Sequence, residues 1–258
     1  MDHAHSPVAA APGTRAARFR RRALFAPLLA ALLILGCADA EPEPLPTAAT
    51  PVTIATNDGI QLDARLFEAR SPHLIVFLHA YDGDQSNWYP LAAALAASGR
   101  ATGLTVDFRG YGLSGGDRVT DDRLVTDVEA AIAYGRSLGY RSIALIGASM
   151  GGAAAMIAAA RDPQVEGVIA LSPPAHFASL DAVAAIRERK PLFAIIVARE
   201  DVSAMDSMKT LANTVQLIPR YRVIVTGEAH GTTLLRSTAA TDVRRRIDAL
   251  LTELWDAP

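Results

Sequence analysis

Ile60, Leu62, Ala64 and Leu66 alternate with polar neighbours. That period of two predicts a strand with one buried face, paired antiparallel. The later apolar runs are continuous: residues 74–78, 103–106, 143–146, 168–171, 193–197 and 223–225 carry almost nothing that wants water. Strands covered on both faces have that composition. Helical spacing fills the intervals. It is clearest near the C-terminus, where Val243, Ile247, Leu250, Leu251 and Leu254 mark one face and arginines occupy the other. This stripe is core packing, with no chemistry in it. Strand and helix in alternation predict a three-layer α/β sandwich over residues 52–258, with about eight mostly parallel strands flanked by helices.

The first thirty-six residues follow a different pattern. Arg15, Arg18, Arg20, Arg21 and Arg22 precede an apolar run from residue 23 to 35. Thirteen residues fall short of the roughly 20 that a membrane-spanning helix needs, so residues 1–36 read as a signal peptide. Arg21 and Arg22 fit either a twin-arginine export signal or a generic basic segment. The run ends in Ile34-Leu35-Gly36-Cys37, which resembles the lipobox of bacterial lipoproteins and implies a lipid on Cys37. Residues 37–51, with Pro42, Pro44 and Pro46 among acidic residues, read as a flexible tether. The expected location is the bacterial cell envelope, on the extracytoplasmic face of a membrane.

Composition narrows the classes of function. Half of the 258 residues are hydrophobic, which suits one domain with a sizeable core, and the formal charge of -2 leaves no basic footprint for nucleic acid. Loss of residues 1–36 would take five arginines and one aspartate and bring the charge to -6. Cys37 is the single cysteine, so no intramolecular disulfide can form. No motif calls for a metal or cofactor, and a small acyl substrate fits better than a polyanion.

The candidate chemistry lies in Gly147-Ala148-Ser149-Met150-Gly151, between a buried strand and an alanine-rich helix. A serine lifted out on so sharp a turn needs small residues on either side, and the turn aims a helix N-terminus at charge developing on a substrate oxygen. A hydroxyl is a poor nucleophile near neutral pH, so a base must take its proton, and imidazole suits that task. Six histidines are present, of which His79, His176 and His230 remain once the leader and the residue before the third strand are set aside.

The chain from residue 52 resembles the α/β-hydrolase family. The resemblance rests on the serine elbow, on His79-Ala80-Tyr81-Asp82-Gly83 and on Asp107-Phe108-Arg109-Gly110-Tyr111-Gly112-Leu113-Ser114, in that family's order along the chain. It implies Ser149 as nucleophile, His230 as general base and Asp201 as the acid orienting it, with Glu200 and Asp206 as rivals for the last role. It also implies an oxyanion hole from the N–H groups of Met150 and Tyr81, although Ala80 stands where the family usually has glycine. His79 is expected to position its loop, and the Asp107 to Ser114 turn to be structural, with a local ion pair.

Only a loop and one short helix are expected between residues 173 and 190, which leaves the site open. Trp88, His176 and Phe177 are candidate substrate-binding walls, with core packing as the alternative. These readings point to a serine hydrolase of small to medium esters. Thioesterase, peptidase and acyltransferase share the same triad chemistry, and a noncatalytic binding or scaffold lipoprotein on this fold is the rival from another class.

Overall fold

The structure is a computed structural model that describes residues 49–189, 191 and 193–256. The signal peptide, Cys37 and most of the tether lie outside the described residues. The main sheet contains β1 (Ala49–Ala55), β2 (Gln61–Phe67), β3 (His73–Leu78), β4 (Thr102–Val106), β5 (Ser142–Ala148), β6 (Val165–Leu171), β9 (Phe193–Ala198) and β10 (Arg222–Val225). A separate two-stranded ribbon pairs β7 (His176–Phe177) with β8 (Leu180–Asp181). The helices are α1 (Tyr89–Ala97), α2 (Arg123–Ser137), α3 (Met150–Arg161), α4 (Ala182–Glu188), α5 (Val202–Val215) and α6 (Ala240–Asp256).

The eight main strands lie in the order β1-β2-β4-β3-β5-β6-β9-β10. Strand β2 runs antiparallel to both β1 and β4, and the remaining pairs are parallel. The alternating pattern of residues 60–66 thus marked the antiparallel strand. Strands β3, β4 and β9 are buried almost throughout, as their unbroken apolar runs require. Helices α2, α3, α4 and α5 cover one face of the sheet, and α1 and α6 cover the other. On α6, Val243, Ile247 and Leu251 are fully buried. Each such side chain contributes roughly 1.5–3 kcal/mol of burial.

Two expected boundaries move. Strand β1 begins at Ala49, three residues inside the expected tether, and carries Pro51 at the sheet's edge. An edge strand tolerates proline because one side of its ladder has no partner. The segment after β6 also holds more than a loop and a helix. The β7–β8 ribbon precedes α4, and its turn puts Ala178 at φ +49.

The turn after β4 is structural and differs in its pairing from a local contact. Asp107 accepts from the N–H of Gln85 at 2.7 Å, from the Gln85 amide at 3.1 Å and from the N–H of Leu113 at 3.2 Å. Arg109 instead pairs with Asp127 at 2.7 Å and Asp58 at 2.6 Å. Burial opposes the charge on Arg109, but these two carboxylates outweigh it and raise its pKa. Burial pushes the Asp107 and Asp127 carboxyls up, against hydrogen bonds that favour their charged forms. This polar network fixes the turn beside the C-terminal ends of the parallel strands, where α/β folds place their ligands.

Candidate active site

Ser149 links β5 to α3 with φ +46 and ψ -119, a conformation that a non-glycine residue adopts only under constraint. Such strain costs on the order of 1–3 kcal/mol and persists only where the surroundings enforce it. Here the enforcing contacts are close. A β-carbon at Gly147 would lie 2.4 Å from the carbonyl oxygen of Gly151, and one at Gly151 would lie 2.4 Å from that of Leu78. Strand, turn and helix can approach this closely only with hydrogen at both positions. The Ser149 N–H is held by the Leu171 carbonyl at 2.8 Å, which ties the elbow to β6.

His230 follows β10, and its Nε2 lies 2.9 Å from the Oγ of Ser149. Its Nδ1 lies 2.7 Å from Oδ2 of Asp201. Asp201 is a carboxylate that can only accept, so Nδ1 carries the proton and Nε2 presents its lone pair to the serine hydroxyl. The imidazole is 45% exposed and the Asp201 side chain 8%. The imidazole therefore faces the solvent side of a carboxylate that is itself shielded.

Asp201 sits between β9 and α5 and caps the helix. Its Oδ1 accepts from the Ala204 N–H at 3.2 Å and from the Ser203 hydroxyl at 3.2 Å. The rivals are elsewhere. Glu200 is exposed, and Asp206 pairs with Lys209 at 2.9 Å. Of the three carboxylates, Asp201 is the one in contact with His230.

Met150 opens α3, so its N–H belongs to the first turn, where amides lack intrahelical acceptors. Tyr81 lies in the loop after β3. Neither N–H has a protein acceptor among the described residues. A donor that is to receive a substrate oxygen must be free in this way. The loop carrying Tyr81 is braced by His79, which is fully buried. Its Nδ1 donates to the Ala80 carbonyl at 2.7 Å, and its Nε2 accepts from the Phe108 N–H at 3.1 Å. Burial lowers the pKa of His79, in keeping with a neutral ring that donates on one side and accepts on the other.

The candidate walls separate. Trp88 is wholly buried against Phe77, with ring centroids 5.4 Å apart. Its reading as a substrate wall is corrected in favour of the alternative, core packing: the indole belongs to the core beneath α1, at the end of a 3₁₀ turn over residues 85–88. His176 is 60% exposed and meets Asp181 across the ribbon at 3.2 Å. Phe177 packs on Tyr81, ring centroids 5.7 Å apart, and Tyr81 in turn meets the edge of Tyr111 at 6.2 Å. Tyr81 remains 46% exposed, so the pair forms an open aromatic rim beside the elbow.

The residues that hold the histidine give no signal in the sequence. Thr233 accepts from the His230 N–H at 2.9 Å and donates to the His230 carbonyl at 2.7 Å. Thr232 reaches a different loop, at Asn87. Threonines after a histidine are too common to have signalled either contact.

A family model for the alpha/beta hydrolase fold matches residues 73–210, from β3 into α5. The chain belongs to that family. Among solved structures, it is similar to an esterase of Pyrococcus furiosus, with TM-score 0.68 and 17% identity over 80% of this chain and 91% of that one. It is also similar to an alpha/beta hydrolase of a Penicillium species, with TM-score 0.65 and 17% identity over 81% of this chain and 99% of that one. A bacterial membrane phospholipase A aligns with TM-score 0.62 and 14% identity, over 79% of this chain and 87% of that one. At these identities the likeness is one of fold.

Proposed function

We propose that the protein is a serine hydrolase that cleaves small to medium esters through an acyl-enzyme. The observation that carries this reading is the continuous hydrogen-bonded chain from Ser149 through His230 to Asp201. As Oγ attacks the ester carbonyl, its proton passes to Nε2 of His230, and Asp201 stabilises the imidazolium. The negative charge that develops on the carbonyl oxygen is received by the N–H groups of Met150 and Tyr81. The same Nε2 proton then goes to the departing alcohol oxygen as its bond to carbon breaks. A water molecule, deprotonated by His230, then attacks the acyl carbon; the carbon–Oγ bond breaks, the imidazolium returns its proton to Oγ of Ser149, and the acid is released.

An exposed imidazole and a cap reduced to one ribbon and one short helix favour substrates that approach without a lid closing over them. Small and medium acyl groups then have the Tyr81 and Phe177 rim as their apolar support. Turnover of a panel of acyl esters, thioesters and aminoacyl amides, together with fluorophosphonate labelling, tests the reading. Ester turnover with one labelled serine is expected. A folded protein that does neither fits the noncatalytic alternative, and products formed with added alcohols or amines would reveal acyl transfer instead of hydrolysis.

We further propose export by residues 1–36 and acylation of Cys37, which would hold the enzyme at a membrane of the cell envelope. The support is the order of basic segment, apolar run, small residue and lone cysteine. Cys37→Ala is expected to move the protein from the membrane fraction to the soluble one. Unchanged membrane retention would count against a lipid anchor.

A further inference from the structure

His230 stands on the least supported stretch of the site. It follows β10, a four-residue strand at the edge of the sheet that among the described residues pairs with β9 alone, and half of its imidazole faces solvent. The Asp201 contact orients the ring, and Thr233 closes the backbone of the same segment on itself. Neither sets the distance between the histidine segment and the loop that carries Tyr81.

A third contact does. Thr232 is 4% exposed, and its hydroxyl donates to Oδ1 of Asn87 at 3.0 Å, across 145 residues of sequence. Among the described residues this is the one hydrogen bond between the segment holding His230 and the segment from His79 to Trp88. Asn87 lies on the short turn directly after the Tyr81 loop. Its Oδ1 is pressed against that loop: a β-carbon at Gly83 would fall 2.7 Å from it. Gly83 is in turn closed onto Ala80 by a 3.1 Å backbone hydrogen bond. From the other side, a β-carbon at Gly231 would lie 3.5 Å from that of Ala148 and 3.8 Å from those of Ala80 and Ser149. The histidine segment therefore lies over both the elbow and the Tyr81 loop, and one buried hydroxyl pins it there.

We infer that Thr232 and Asn87 form a positioning clamp that holds the general base and the oxyanion-binding loop in register. The inference rests on the hydrolase reading above. Neither residue touches the reacting atoms. Both act through what they hold, Thr232 on His230 and Asn87 on the loop of Tyr81. The clamp matters most in the transition state, when proton transfer to Nε2 and stabilisation of the oxyanion must occur together, so its loss should lower kcat more than it raises KM.

Thr232→Val keeps the shape and removes the donor. The expected result is a fall in kcat of about 10- to 100-fold, as misplacements approaching 1 Å produce, with KM within about twofold. Rates are taken per active site titrated with a fluorophosphonate, so that a merely destabilised protein, with fewer competent sites of normal speed, is told apart. Thr232→Ser should restore most of the rate because it restores the donor. Asn87→Ala should slow the enzyme too, and the double variant with Thr232→Val should be no slower than the worse single one.

Wild-type kcat per titrated site in Thr232→Val overturns the clamp. So does a serine variant as slow as the valine one, since the methyl group would then be what counts, and so do fully multiplicative effects in the double variant. A wild type that neither turns over esters nor takes the label overturns the hydrolase reading and the clamp with it.

Discussion

Ser149→Ala should lower ester turnover by at least about 10⁴-fold and abolish fluorophosphonate labelling, while the protein stays folded. Among the described residues the serine hydroxyl has one hydrogen-bond partner, Nε2 of His230, and it caps no helix. Its removal therefore costs the fold little. The backbone at φ +46 is equally strained with either side chain, since alanine keeps the β-carbon that causes the strain. A thermal midpoint at or slightly above that of the wild type is expected, as sites built for reactivity are seldom optimal for stability. Turnover and labelling that survive in the variant would remove Ser149 from the chemistry.

Asp201→Asn should lower kcat by about 10³- to 10⁴-fold with little change in stability. An asparagine amide at this place can offer a donor to Nδ1. It would then favour the tautomer with the proton on Nε2, where the serine needs a lone pair, and it cannot stabilise an imidazolium as a carboxylate does. The separation from stability comes from the second task of the residue. Oδ1 caps α5 through the Ala204 N–H, and asparagine is as good a helix cap as aspartate. Asp201→Ala should add a stability loss of about 1 kcal/mol to the catalytic one. Thermal melts and kcat measured on both variants check this, with Glu200→Gln expected to stay close to wild type. Full activity in Asp201→Asn would show that this carboxylate is not the orienting acid.

These residues differ in how far the sequence exposed them. Ser149 was legible because strand, elbow and helix are contiguous; Gly147 answers to backbone approach within the elbow itself, whereas the need for glycine at 151 comes from the carbonyls of Leu78 and His79 and arises only in the fold. His230 and Asp201 were legible by order along the chain, as positions expected at strand ends. The choice of Asp201 over Glu200 and Asp206 rested on position relative to β9, and the structure places its carboxylate alone against the imidazole. For Trp88 the sequence left substrate wall and core packing both open, and the structure decided for the core. Polar residues 84–87 precede it and the apolar residues of α1 follow it, and the turn of residues 85–88 that buries it against Phe77 is not written in either.

Local order along the chain was enough to determine the layered α/β fold. Runs covered on both faces, one alternating strand and an amphipathic last helix each arise from contacts made within an element or with the next layer. The same locality gave the serine elbow. The start of β1 at Ala49, the ribbon bearing Phe177, the pairing of Arg109 with Asp58 and Asp127, and the bond from Thr232 to Asn87 were decided only in the tertiary structure. Each depends on which surfaces meet after the strands have been ordered in the sheet, and a hydroxyl or guanidinium carries no mark in sequence of the partner it will find there.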